Sequence, residues 1–275
     1  MHIRVGYDIA YDCPAPTPIS LLLSVRPERH ADLVTPEIMH LAPEAPVRQT
    51  RDAFGNVRTQ LVAPAGVVRF ASDFIVADSG LPDPDSTALA QHPVEDLPDP
   101  LFVYLLASRY CDVDRLGSLA WELFGHLPAD GSRVQAVCDY VHERITFDYL
   151  GACATRTAFE ANEQRVGVCR DFAHLAIALC RCLHIPARYC TGYLGDIGVP
   201  SRPLMDFSAW FEVWLGGAWR TFDARHNVPR IGRIVMAYGR DATDTAISTT
   251  FGVTRLERFD VITEQVTAQV SHASG

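Results

Sequence analysis

The sequence predicts an α+β protein, on three observations. Ile3, Val5, Tyr7 and Ile9 alternate with other residues, and so do Val68, Phe70, Ser72, Phe74 and Val76, which marks half-buried strands. Phe172, Leu175, Ala176, Leu179 and Leu183 recur at helical spacing, one continuous apolar face. The apolar stretches Ala209–Leu215 and Ala218–Asp223 flank Gly216-Gly217, a two-residue hairpin signal.

Taken in order, residues 1–77 read as a small N-terminal β-sandwich, with Phe54-Gly55-Asn56 as a hairpin turn because Gly and Asn tolerate positive φ. Residues 78–100 read as a linker. Asp78-Ser79-Gly80-Leu81-Pro82-Asp83-Pro84-Asp85 and Leu97-Pro98-Asp99-Pro100 suit neither a regular helix nor a central strand. Residues 101–275 are expected to form the second domain. A helix is expected over 112–125, opened by Asp112 and Asp114 and carrying Leu116, Leu119, Ala120 and Leu123. A second runs over 132–145, with Ser132 as N-cap and Val134, Val137, Cys138 and Val141 on one stripe. The clearest helix, 169–184, follows Gly167-Val168 and ends before Ile185-Pro186, since the residue before proline avoids the helical region. Strands follow at Ala187–Tyr193, at the two arms of the hairpin, and over 259–270.

Composition narrows the function. The 275 residues carry a net charge of −9, with 48% hydrophobic and 21% charged residues, a foldable globular mixture. The acidic balance argues against nucleic acid as a partner. No apolar run approaches the roughly 20 residues of a membrane helix, and the N-terminus lacks the basic-then-apolar order of a signal peptide. A cytoplasmic protein with eight reduced cysteines is expected. All 24 basic residues are arginine. A GC-rich coding sequence explains this, and so does avoidance of amine acceptors by a chain that acylates amines. There is no glycine-rich phosphate loop. On a helix, Cys180 and His184 share a face while Cys182 points away, so no zinc site is expected, and no cofactor either.

Cys169 carries the chemistry. It follows a Gly-Val pair at the first position of the strongest helix, where the dipole and unpaired N–H groups favour a thiolate. Its own N–H is placed to donate to an oxyanion. His174, five residues on, is rotated about 140° away and reads as a packing residue. Gln164 and Asp171 read as a polar loop residue and a helix-start residue, and Trp210 and Trp214 as packing aromatics.

The segments Gly167-Val168-Cys169-Arg170-Asp171-Phe172-Ala173-His174-Leu175, Cys180-Arg181-Cys182-Leu183-His184-Ile185-Pro186-Ala187-Arg188-Tyr189, Gly192-Tyr193 and Ala209-Trp210-Phe211-Glu212-Val213-Trp214-Leu215-Gly216-Gly217-Ala218-Trp219-Arg220-Thr221-Phe222-Asp223 resemble the core of the transglutaminase-like superfamily, over about residues 130–225. The β-rich first domain resembles the N-terminal region of bacterial members. The resemblance implies a papain-like core using a Cys-His-Asp triad, with Cys169 as nucleophile and Asp223 as orienting acid. The family's histidine stands just before Ala209; this sequence has Ser208 there.

A serine hydroxyl cannot take a thiol proton at neutral pH, whereas imidazole can. Another histidine supplies the base, with His226, three residues beyond Asp223, the best placed. Alternatively, the thiolate works without a histidine, or the module binds a peptide or protein partner and is catalytically silent. The leading expectation is acyl chemistry through a thioester on Cys169, on a peptide or protein amide, with water or an amine as acceptor.

Overall fold

The computed structural model describes residues 1–200 and 205–266. Its elements fall into three four-stranded antiparallel sheets, a two-stranded parallel ribbon and four α-helices.

Two sheets make the sandwich. In the first, β1 (His2–Cys13) lies between β6 (Gly66–Ala77) and β14 (Arg255–Val266), with β3 (His40–Ala42) beyond β6. In the second, β2 (Thr17–Leu21) lies between β5 (Val57–Ala63) and β13 (Ser248–Thr250), with β4 (Val47–Arg51) beyond β5. The alternation read at residues 3–9 and 68–76 becomes buried inner faces, with Ile3, Val5, Ile9, Val68, Phe70 and Phe74 in the core. Two of the eight strands come from the far end of the chain. Residues 248–250 and 255–266 fall beyond the expected 78–100 linker in sequence, yet pair with β2 and β1, with Val5 opposite Thr263. Residues 267–270 of the expected last strand lie outside the described residues.

The helical half begins with α1 (Gly117–Phe124) and α2 (Gly131–Arg144). Asp130, not Ser132, is the N-cap of α2: its carboxylate accepts from the Ser132 N–H at 2.9 Å. Asp112 does not open α1 either. It accepts from the Thr157 hydroxyl at 2.9 Å and the Phe159 N–H at 3.0 Å. Both bonds secure the start of α3 (Ala158–Gln164), which has its own Thr157–Glu160 capping box. Then β7 (Thr146–Phe147) pairs in parallel with β8 (Val166–Gly167), which feeds α4 (Cys169–Cys182).

The third sheet has the order β11 (Ala218–Phe222), β10 (Ser208–Leu215), β9 (Ala187–Tyr193), β12 (Ile234–Gly239). Gly216 and Gly217 take φ of 57° and 78°, the left-handed conformation that a tight β10–β11 turn requires. One face of the sheet packs Ala209, Phe211, Val213 and Leu215 against α4. Tyr193, Ile234 and Met236 of the same sheet pack into the sandwich core. The Asn56 side chain, fully buried, donates to the Tyr238 carbonyl and accepts from its N–H, both at 2.8 Å, so an expected turn residue also pairs with β12. Among the described residues, no helix is long and apolar enough to cross a membrane.

His174 is fully buried in α4, stacked on Tyr110 and accepting from the Ala242 N–H at 3.1 Å. Burial drives its pKa down, Arg170 and Arg181 add to this, and Asp241 opposes it. In the unfolded chain the ring binds a proton near pH 6.5, whereas in the fold it does not. Stability is therefore lost as pH falls below about 6.5, by up to about 1.4 kcal/mol per pH unit from this group. His174→Gln is expected to flatten that slope, as measured by urea unfolding at neutral and mildly acid pH. An unchanged slope would remove His174 as its source.

Candidate active site at the start of α4

The α4 N-terminus is fixed by buried charges. Asp171, 1% exposed, accepts from the Val168 N–H at 2.8 Å and from Arg156 at 3.2 Å. Arg156 also binds the Gly151 carbonyl at 2.8 Å and Gln164 Oε1 at 2.9 Å. A Cβ on Gly167 would stand 2.6 Å from the Asp171 Cβ, so only glycine admits this cap. Arg170 donates to the Cys153 carbonyl. Losing one partner of the buried Arg156–Asp171 pair would cost about 3–5 kcal/mol.

Cys169 is the first residue of α4 and is partly buried. Burial pushes its thiol up to about 11, against the pull of the Arg225 guanidinium and the N–H groups of Ala209 and Arg170. Asp206 adds to the upward shift. The helix-start position read from the sequence therefore does not make this thiol acidic. Desolvation by neighbouring packing outweighs the nearby guanidinium and N–H groups.

Asp223 follows β11 and is 7% exposed. Its Oδ1 accepts from the backbone N–H groups of Arg225 and His226, each at 3.0 Å. Its Oδ2 accepts from His226 Nδ1 at 2.8 Å and from Arg233 at 2.9 Å. Burial alone would raise this carboxyl, but the Arg233 charge and the His226 hydrogen bonds outweigh it and hold the group well below the usual carboxylate range. Nδ1 of the neutral His226 ring then carries the proton and Nε2 is an acceptor. Burial lowers the His226 pKa; Asp223 raises it, while Arg225 and Arg230 lower it further.

Ser208 opens β10 opposite Gly192 of β9 and is 4% exposed. Among the described residues its hydroxyl has no hydrogen-bond partner. With His226, Arg225, Tyr149, Asp206 and Thr263 it lines a cavity of about 40 Å³. Thr263 belongs to β14, so the sandwich supplies part of the wall. The structure thus brings Asp223, His226 and Ser208 to one place. Cys169 joins them through the N–H of Ala209, next to Ser208, and through the Arg225 charge. No hydrogen bond between Cys169 and His226 occurs among the described residues.

The other candidates are accounted for by packing. Trp210 is 2% exposed beneath the Arg233 guanidinium, and Trp214 meets Trp219 edge-on. Cys180 is fully buried, Cys182 donates to the Val113 carbonyl at 3.2 Å, and His184 lies against Trp121. Among the described residues, no group of three or more His, Cys, Asp or Glu could hold a metal ion. Sequence reasoning missed Arg233, whose only signal is a charge beyond the Asp223 strand end.

A thiol at a helix start, packed on an antiparallel sheet whose neighbouring turn carries an Asp–His pair, defines a papain-like arrangement. Residues 118–224 match the transglutaminase-like superfamily. The crystal structure of a candidate cysteine protease from Cytophaga hutchinsonii has 31% sequence identity and a TM-score of 0.83, covering 96% of this chain and 90% of that one. The uncharacterized protein ML0607 of Mycobacterium leprae (strain TN) is 36% identical over 109 residues, 38% of this chain and 39% of that protein, so the match spans about two fifths of this curated relative. The chain belongs to the transglutaminase-like superfamily. This membership supports a cysteine-dependent protease or transglutaminase-type function.

Proposed function

We propose that the protein forms a thioester between Cys169 and the acyl group of a peptide or protein amide, with His226 as general base and Asp223 orienting it. The observation that carries this reading is the 2.8 Å contact between His226 Nδ1 and Asp223 Oδ2 in the wall of the Ser208 cavity, two of whose other lining residues, Arg225 and Asp206, act on the Cys169 thiol. A thiol held at about 11 is protonated at neutral pH, so attack requires a base to remove its proton. His226 Nε2 takes that proton as Sγ bonds the carbonyl carbon. The first-turn N–H groups of α4, including that of Cys169, are suited to receive the oxyanion. The C–N bond breaks, the leaving amine takes the proton from His226, and water or a second amine then attacks the thioester and frees the thiol. The absence of lysine leaves no ε-amine in the chain to intercept it, which supports an amine acceptor.

The second reading is a silent module that binds a peptide or protein partner, and Ser208 at the family's histidine position favours it. An acyl-trapping experiment separates the two. The Cys153→Ser variant serves as the background, because the partly exposed Cys153 thiol is lowered by its Thr155 hydrogen bond and would compete. After brief exposure to p-nitrophenyl acetate and an acid quench, peptide mapping should locate one acetyl group on Cys169. Added glycinamide should shorten its lifetime if an amine is the acceptor. A folded protein with no adduct on Cys169 would favour the silent module.

A further inference from the structure

The Pro/Asp-rich segment after the sandwich reaches the candidate site. Pro82 bridges Ile231, and the Asp83 N–H donates to the Arg230 carbonyl at 2.9 Å. The Asp83 carboxylate takes both its contacts to Arg233 Nε, at 2.9 and 3.0 Å, and accepts from the Arg230 N–H at 2.9 Å. The other end of the same guanidinium donates to Asp223 Oδ2 at 2.9 Å, the oxygen that holds His226 Nδ1. Asp83, Arg233, Asp223 and His226 therefore form one unbroken chain of contacts. The Arg233 side chain is only 8% exposed and lies over the buried Trp210 ring, so solvent screens its charge little.

We infer that Arg233 is a positioning residue that sets the orientation and charge of the Asp223–His226 pair, and that Asp83 sets how much of the Arg233 charge the pair feels. The inference rests on the reading of His226 as the base, but its first readout does not. Asp223 has four acceptor positions, and two backbone N–H groups, His226 and Arg233 fill them, so the carboxylate cannot turn. Asp223 stabilises the imidazolium; Arg233, on the same oxygen, opposes it. Asp83 in turn offsets Arg233. Net charge over Asp83, Arg233 and Asp223 is −1, and removing Asp83 and Arg233 together leaves it at −1.

Other charged and titratable groups face His226 and stay constant among the variants. Arg225 shares its turn, and Arg230 leads toward β12. His142 of α2 contacts the carbonyls of Ala224 and Arg225. Tyr149, Asp196 and Asp206 stand across the cavity, and the Cys169 thiol is coupled to Arg225 and Asp206.

The test is NMR titration of the His226 ring, assigned with His226→Ala, alongside the acid limb of kcat/KM. Arg233→Gln should move the His226 midpoint up by about one pH unit. Asp83→Asn should move it down, the double variant should return it toward wild type, and Arg233→Lys should hold it near wild type. A merely structural role gives no such opposite signs. Equal or same-direction shifts in folded Asp83→Asn and Arg233→Gln would overturn the inference. If Arg233→Gln does not fold, Arg233→Lys and Asp83→Asn decide alone, and an unmoved midpoint in Asp83→Asn overturns it. If the midpoints move as stated and the acid limb does not follow, the inference stands and the role of His226 as base falls.

Discussion

Cys169→Ala is expected to lower kcat/KM by at least about ten-thousand-fold while leaving the fold in place. A catalytic nucleophile has no substitute in its own site, and what remains comes from binding and oxyanion donors alone. The fold should survive because its local supports lie elsewhere. Asp171 caps the helix through the Val168 N–H, Arg156 holds Asp171, and the apolar face of α4 sits on β10. Cys169 is partly buried, and removing its sulfur should cost no more than about 1 kcal/mol. Steady-state kinetics paired with thermal unfolding checks both halves. Turnover retained by Cys169→Ala would end the thioester mechanism.

His226→Ala should lower kcat about a hundred- to ten-thousand-fold, the range for loss of a general base. The wild-type pH profile carries a sign. His226 acts when neutral, and its pKa is shifted below the ordinary 6.5, first by burial. So kcat/KM should rise with pH through an inflection below about 6.5 and then stay level well short of the Cys169 thiol at about 11. In His226→Ala, the inflection should vanish.

Ser208→His alone should not add activity. Both Asp223 oxygens are committed, to two backbone N–H groups, His226 and Arg233, so a histidine at 208 finds no free acceptor to orient it. The same change in the His226→Ala background frees one position on Oδ2. Activity in His226→Ala equal to wild type would dismiss this histidine.

Much of this was legible because it is local. The apolar stripe of α4, the Gly216-Gly217 turn and the alternation at residues 3–9 are short-range patterns, and each became the expected element. The helix α3 had a readable signal as well, the Thr157–Glu160 capping box, which the apolar periodicity of a seven-residue helix is too short to reinforce. Non-local features stayed hidden. Pairing of β14 with β1 joins segments from opposite ends of the chain. The Arg233 contact to Asp223 crosses from one strand region to another with no spacing rule to announce it. For Cys169, the helix-start position was visible, but the sign of its pKa shift is set by burial beneath packing distant in sequence, which outweighs the opposing pull of Arg225 and the Ala209 N–H.

The return of residues 255–266 to β1 has a consequence for biosynthesis. On the ribosome, β1 emerges with one edge waiting for a neighbour encoded far downstream. Everything that forms the thiol-bearing half is translated in the interval. Sandwich closure must therefore follow synthesis of β14, after an entropic search across the long intervening segment, with an open edge exposed to other nascent chains meanwhile.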